Sequence, residues 1–219
     1  MVSDTVQDVA QVAHDVGLAA WLGGAMFGKF AHNPSLRLVT SHTERGQVAN
    51  AAWNGYNLVN AVGLGSAAAA YVAARRTELQ RSNLADGEQV LVSGMDFLMG
   101  AAVVTGIANG VLGAALARQA PDGAVPVETG TVPAPETPPR AARIQRAIGL
   151  FGNLNIASGV LLVAENALFR RRAFSRPATR RALTRSSSKS GSGPSSLVVG
   201  TIAGALAGAG NEVRRRAGS

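Results

Sequence analysis

Four asparagines, Asn50, Asn54, Asn57 and Asn60, recur along one apolar stretch of this chain. A helix advances about 100° per residue, so the four amides share an arc of about 120°, with Trp53 among them. A carboxamide both donates and accepts hydrogen bonds. Lipid offers no partner, so in a membrane such a face turns toward protein or water. The favoured reading is interhelical hydrogen bonding, each bond contributing about 0.6 kcal/mol. The alternative is a polar pocket or water-filled path for a small solute or ion. A second stripe on a later stretch, Asn155, Ser158, Glu165 and Asn166, falls within about 100°.

The ionisable residues in or beside the apolar stretches are His14, Asp15, Asp96 and Glu165. Gathered inside a bundle, they would form a His–carboxylate cluster able to bind a proton or cation. Each lies within about two turns of the end of its stretch, where a side chain reaches the interface, and the interfacial reading is preferred.

Other chemistry is missing from the pattern. Without cysteine, disulfides and thiolate chemistry are excluded. The three histidines, His14, His32 and His42, have neither zinc-site spacing nor a bis-histidine haem pattern. No GxxxxGK, GxSxG or HExxH motif occurs. No catalytic residue, metal or cofactor is therefore expected, and the chain does not read as an enzyme.

The elements that carry these residues are four long apolar segments, at about 6–30, 47–74, 90–117 and 147–169. The second holds no charged residue across its length, whereas a soluble helix needs a polar, charged face. Charged residues make up 16% of the chain, against about a quarter in soluble domains. Each segment reaches the length of about 20 residues that a membrane span requires. Asn33-Pro34-Ser35 is expected to break the first helix, because the residue before proline is pushed out of the α region. The stretch from Pro121 to Pro139 has six prolines and reads as an extended loop that buries nothing. Gly106 and Gly110 form a GxxxG pair suited to close helix packing.

The net charge is +8. Eight basic residues lie between Arg170 and Lys189 with no acid among them, and the other 13 basic and 13 acidic residues cancel. Basic residues near span ends stay on the cytoplasmic side, which places both termini in the cytoplasm and the Pro-rich loop outside. This tail has the charge to touch anionic lipid headgroups; with one aromatic, Phe174, and no folded module, it does not read as a nucleic-acid binder. A last apolar stretch, Leu197 to Gly210, is too short to span.

His14, Trp21, Gly23, Gly24 and Phe27 form an H-x6-W-x-G-G-x-x-F pattern. It resembles the opening helix of small bacterial membrane families, among them copper-resistance-D-like proteins and four-helix families of unknown function. The Ala, Gly and Arg bias resembles that of membrane proteins from high-GC bacteria. The resemblance covers one helix and implies no activity; the further His and Met ligands of the copper proteins are largely lacking here.

The expectation is an all-α protein: a membrane-embedded four-helix bundle over 1–172, a basic Ser/Arg-rich disordered tail over 173–196, and a short, non-spanning, Gly-rich apolar helix over 197–213. Its expected role is structural or interacting and non-enzymatic, with the lipid bilayer and a second copy of the chain as partners.

Overall fold

Each long apolar run is helical in the computed structural model, which describes residues 4–77, 79–120 and 123–174. The helices are α1 (Asp4–Phe27), α2 (His42–Arg76), α3 (Asp86–Ala117) and α4 (Pro139–Phe174). Helix accounts for 84% of the described residues, and the one sheet among them is a two-stranded hairpin. The expected tail and terminal helix beyond Phe174 lie outside the described residues.

Local chemistry sets the helix ends. Ser41 caps α2, its Oγ accepting the Glu44 N–H at 3.4 Å, which is half of a capping box. Glu88 reaches back to accept the Ala85 N–H at 3.0 Å at the start of α3. Pro139 opens α4, where its missing N–H has no helical partner to lose. Arg75 and Arg76 close α2, and Arg171 and Arg172 lie in the last turn of α4, where cations complement the helix dipole.

Pro34 does not break the first helix. A π-helical turn, Gly28–His32, follows α1, with the Asn33 N–H donating to the Gly28 carbonyl. Asn33 keeps helical angles, φ −61° and ψ −44°, and the chain turns extended only at Val39, after a 3-10 turn over Leu36–Leu38. In an α-helix the proline ring clashes with the carbonyl four residues back. The wider turn just before Pro34 relieves that clash and carries the helical path onward.

Backbone approach divides the bundle into two antiparallel pairs, α1 with α2 and α3 with α4, joined mainly along α1 and α4. The seam between α1 and α2 is built on small residues. A Cβ on Gly17 would meet the Gly63 carbonyl oxygen at 2.5 Å. Further along, Gly24 lies against Tyr56 and Gly28 against Trp53, and the Tyr56 hydroxyl donates to the Ala20 carbonyl. The core between the pairs includes Leu18, Trp21, Leu64, Ala67, Met95, Met99, Ala102 and Leu162.

The Pro-rich segment, expected to be extended and to bury nothing, is folded. Its strands β1 (Val127–Thr129) and β2 (Val132–Pro133) pair antiparallel, Val127 opposite Pro133 and Thr129 opposite Val132. Val125 and Val127 pack on Ala141, with Leu116 and Ala120 alongside. Thr137 Oγ1 donates to the Pro126 carbonyl at 2.7 Å. The alternation of Val125, Val127 and Thr129 puts three side chains on one buried face, and this small core holds the hairpin over the end of the bundle.

α2, α3 and α4 are long and apolar enough to cross a membrane. α1 carries Asp8, His14 and Asp15 in its first half.

Candidate functional site

The best-satisfied polar group inside the bundle is centred on Asn155. Trp21 Nε1 donates to Asn155 Oδ1 at 2.9 Å. Asn155 Nδ2 donates to the Ala102 carbonyl at 2.8 Å and to Thr105 Oγ1 at 2.9 Å. Thr105 Oγ1 in turn donates to the Ala101 carbonyl at 2.7 Å. One amide thus ties α1, α3 and α4 in the core, where Trp21 is fully buried. Ser158, on the same face of α4, is buried and donates to the Leu154 carbonyl of its own helix at 2.8 Å. The sequence pattern singles out Asn155, and Trp21 in the first-helix motif, but not Thr105 and not their partnership, which spans separate helices.

The four asparagines of α2 share a face but not a site. Asn50 Nδ2 donates to the Gly123 carbonyl of the loop after α3 at 3.0 Å. Asn54 and Asn57 are exposed on the outside of the bundle, and Asn60 is half-buried. The inner stripe of α4 and the α2 face therefore do not enclose a common pocket.

The ionisable residues are divided as well. Asp15 takes Arg170 Nη2 on both its oxygens at 2.9 Å, and Gln11 donates to it at 2.9 Å. Asp96 pairs with Arg75 at 2.8 and 3.0 Å and accepts the Tyr71 hydroxyl at 2.7 Å. His14 Nδ1 meets the Ala67 carbonyl at 3.0 Å, so its ring nitrogen carries the proton on that side. Glu165 packs against Gly94, with Oε2 buried and unpartnered among the described residues. In place of the single His–carboxylate cluster, the alternative to the preferred interfacial reading, the structure has two ion pairs, α1–α4 and α2–α3, a histidine bonded to backbone, and a separate glutamate. Both pairs are substantially exposed and tie Arg170 and Arg75, near the C-terminal ends of α4 and α2, to separate neighbouring helices rather than forming one binding centre.

Under the hairpin, Arg45 is the organising residue. Its Nε donates to the Val39 carbonyl at 2.7 Å, and its Nη1 donates to the Glu128 carboxylate at 3.0 Å. His42 meets Glu128 through Nε2 at 3.1 Å and Glu136 through Nδ1 at 2.6 Å. The Glu136 backbone N–H, and then His42, hold that carboxyl below the usual carboxylate range. The two carboxylates sit on opposite ring nitrogens and cannot share a metal with the imidazole. Among the described residues no three His, Cys, Asp or Glu side chains gather to hold a metal ion. Near this end, His32 Nε2, Asn33 Oδ1 and both amide atoms of Gln145 are buried without a partner among the described residues. Such atoms cost about 1–3 kcal/mol each when left unpaired, so this is the least satisfied part of the fold.

Of the two expected packing glycines, only Gly106 meets a neighbour among the described residues. A Cβ there would meet Leu64 Cδ2 at 2.8 Å, whereas Gly110 has nothing within 4 Å. No protein-family model matches this sequence, and neither does any curated protein or solved structure.

Proposed function

We propose that the chain is a multi-pass membrane protein whose four helices all cross the bilayer, with both termini cytoplasmic and the hairpin cap outside. In this reading it is a non-enzymatic structural or interaction protein that holds a second copy of itself, or another membrane polypeptide, through the outer face of α2. The observation that carries the interaction is the exposure of Asn54 and Asn57. Lipid cannot satisfy an amide, so an outward amide pair within a membrane span is satisfied by another chain. Two copies of one amide face complement each other about a twofold axis, because each amide supplies both donor and acceptor.

The surface supports the membrane reading. Leu58, Val59, Val62, Val104, Ile107, Val111 and Leu161 are all exposed along the middles of α2, α3 and α4. An aqueous protein rarely displays an apolar girdle of that kind. The arginines of the ion pairs, Arg75 and Arg170, lie near the C-terminal ends of α2 and α4, and the hairpin network lies at the opposite end of the bundle. The charge-free core of α1, Val16 to Gly28, has 13 residues and reaches only about 20 Å. α1 crosses with His14, Asp15 and Lys29 near the interfaces, where long side chains extend toward the headgroups. The eight basic residues from Arg170 to Lys189 favour a cytoplasmic C-terminus.

Passage of a solute or ion along the asparagine face is the weaker reading, because Asn50 is bonded to the loop and Asn54 and Asn57 point away from the helix interfaces. The chain has no cysteine, so Gly55→Cys, at an open position of α2, reports proximity of two copies by oxidative crosslinking in native membranes. A crosslinked dimer is expected, and Asn54→Leu with Asn57→Leu should weaken the association by about sevenfold, since two interhelical bonds at about 0.6 kcal/mol each are lost. Undiminished crosslinking in the double variant would rule out the amide face as the contact. Absence of any dimer, with no other adduct, would count against association through α2.

A further inference from the structure

We propose that the cleft between α2 and α3, at the end marked by Arg75 and Arg76, binds one anionic phospholipid, with an acyl chain in the cleft and the phosphate on Arg76. This inference rests on the membrane reading above.

α2 and α3 follow each other in sequence, yet their backbones barely approach. Side chains bridge the gap instead: Leu64 reaches Gly106, and Tyr71 and Arg75 reach Asp96. These bridges close the back of a lateral groove of about 660 Å³. Its walls are Ala68 and Val72 on α2 and Gly100, Val103 and Val104 on α3. Steps of three and four residues put each set on one helix face. From Ala68 to Arg76 the groove runs about 12 Å along α2, most of one leaflet of a hydrocarbon core about 30 Å thick. A helix with side chains is about 10 Å across, too wide for a gap between two helices already bridged at its floor. An extended acyl chain is the narrower object and finds aliphatic walls on both sides.

Charge selects the headgroup. At the groove's polar end Arg75 is held by Asp96, which also takes the Tyr71 hydroxyl. That pair is neutral in sum, and the exposed guanidinium of Arg76, without a hydrogen bond or ion pair among the described residues, gives the groove lining its net positive charge. Asp96 faces the same end, so the phosphate is placed at the outer, Arg76 side and not on Arg75. The amides of Asn54 and Asn57 continue this face of α2: Asn54 is 18 residues before Val72 and Asn57 is 18 before Arg75, about five turns in each case. The lipid therefore lies about five turns along α2 from the amides, and the outer face at Asn54 and Asn57 stays free for a partner chain.

The test is lipid retention. The full chain is reconstituted in nanodiscs containing equal phosphatidylglycerol and phosphatidylcholine, then extracted in mild detergent and weighed by native mass spectrometry. One phosphatidylglycerol per chain is expected, in preference to phosphatidylcholine. Arg76→Gln should weaken its retention about fivefold, the effect of losing one charge near an anionic surface. Gly100→Leu should abolish it by filling the groove. A Cβ at Gly100 meets nothing within 4 Å, so that variant should fold with an unchanged helical spectrum and melting temperature. Equal retention of the two lipids, or wild-type retention in both variants, would overturn the proposal. So would a dimer that Gly100→Leu dissociates, because a second copy would then fill the groove. Carbonate washing of the source membranes separates the two readings. A chain released by carbonate defeats the membrane reading as well, whereas one that stays embedded but holds no anionic lipid defeats only this inference.

Discussion

Trp21→Ala should destabilise the bundle by about 3 kcal/mol, the lower end of the range for removing a buried tryptophan. The lower end applies because lipid is itself apolar, so the transfer part of the loss shrinks and the cavity part remains. Trp21 is fully buried, and Gly159 lies directly against its ring, so neighbouring side chains on α4 cannot swing in to fill the space. The substitution also takes the donor from Asn155 Oδ1. Trp21→Phe keeps most of the volume and removes the hydrogen bond, and should cost about 1 kcal/mol. Denaturant unfolding in micelles, followed by far-UV circular dichroism, measures both. Equal, small losses in the two variants would mean that Trp21 does not anchor α1 to α4.

Gly17→Leu should be at least as damaging, at about 3 kcal/mol or more, because the obstacle is backbone. Overpacking that neighbouring side chains can absorb costs about 1–3 kcal/mol. Here a Cβ would sit 2.5 Å from the Gly63 carbonyl oxygen, and only separation of α1 from α2 removes the clash. That separation also opens the contacts of Gly24 with Tyr56 and Gly28 with Trp53. Gly110→Leu is the matched control: a Cβ there meets nothing within 4 Å among the described residues, and its effect on monomer stability should stay within about 0.5 kcal/mol. Loss of the folded chain in Gly110→Leu but not in Gly17→Leu would reverse the packing described here.

α2, α3 and α4 are legible from sequence because long charge-free runs bounded by arginines and turn residues leave few alternatives. Their observed starts precede the expected ones by about one or two turns, since Ser41 and Pro139 lie outside the apolar runs, while the end of α3 falls at Ala117 as expected. The continuation of the first helix through Pro34 was not legible, because a π turn leaves no composition signal. The folded hairpin was missed for a different reason. Six prolines outweighed the alternation of Val125, Val127 and Thr129, which carries the buried face. Asn155 stood out as a polar residue in an apolar run, but its partner Trp21 is 134 residues away, and no periodicity within one helix reveals such a pairing. The same holds for Gly17 and Gly63. Gly106 and Gly110 attract notice as a local motif, whereas the tight approach of α1 to α2 uses glycines on two different helices. Asp15 stands at the middle of α1 and Asp96 ten residues into α3, so neither is at a helix end, and long-range pairing with Arg170 and Arg75 sends them to different seams.

Membrane embedding with the hairpin outside and both termini inside is the central claim, and site-directed labelling tests it most directly. Single cysteines placed at Ser3, at Val132 in the hairpin and at Ser219 are treated in intact cells with a membrane-impermeant maleimide. Val132 is an exposed hairpin residue, so Val132→Cys should be labelled at once, while Ser3→Cys and Ser219→Cys react only after the cells are permeabilised. Labelling of Ser3→Cys and Ser219→Cys but not Val132→Cys would invert the bundle, and equal protection of all three until lysis would contradict the four-span account.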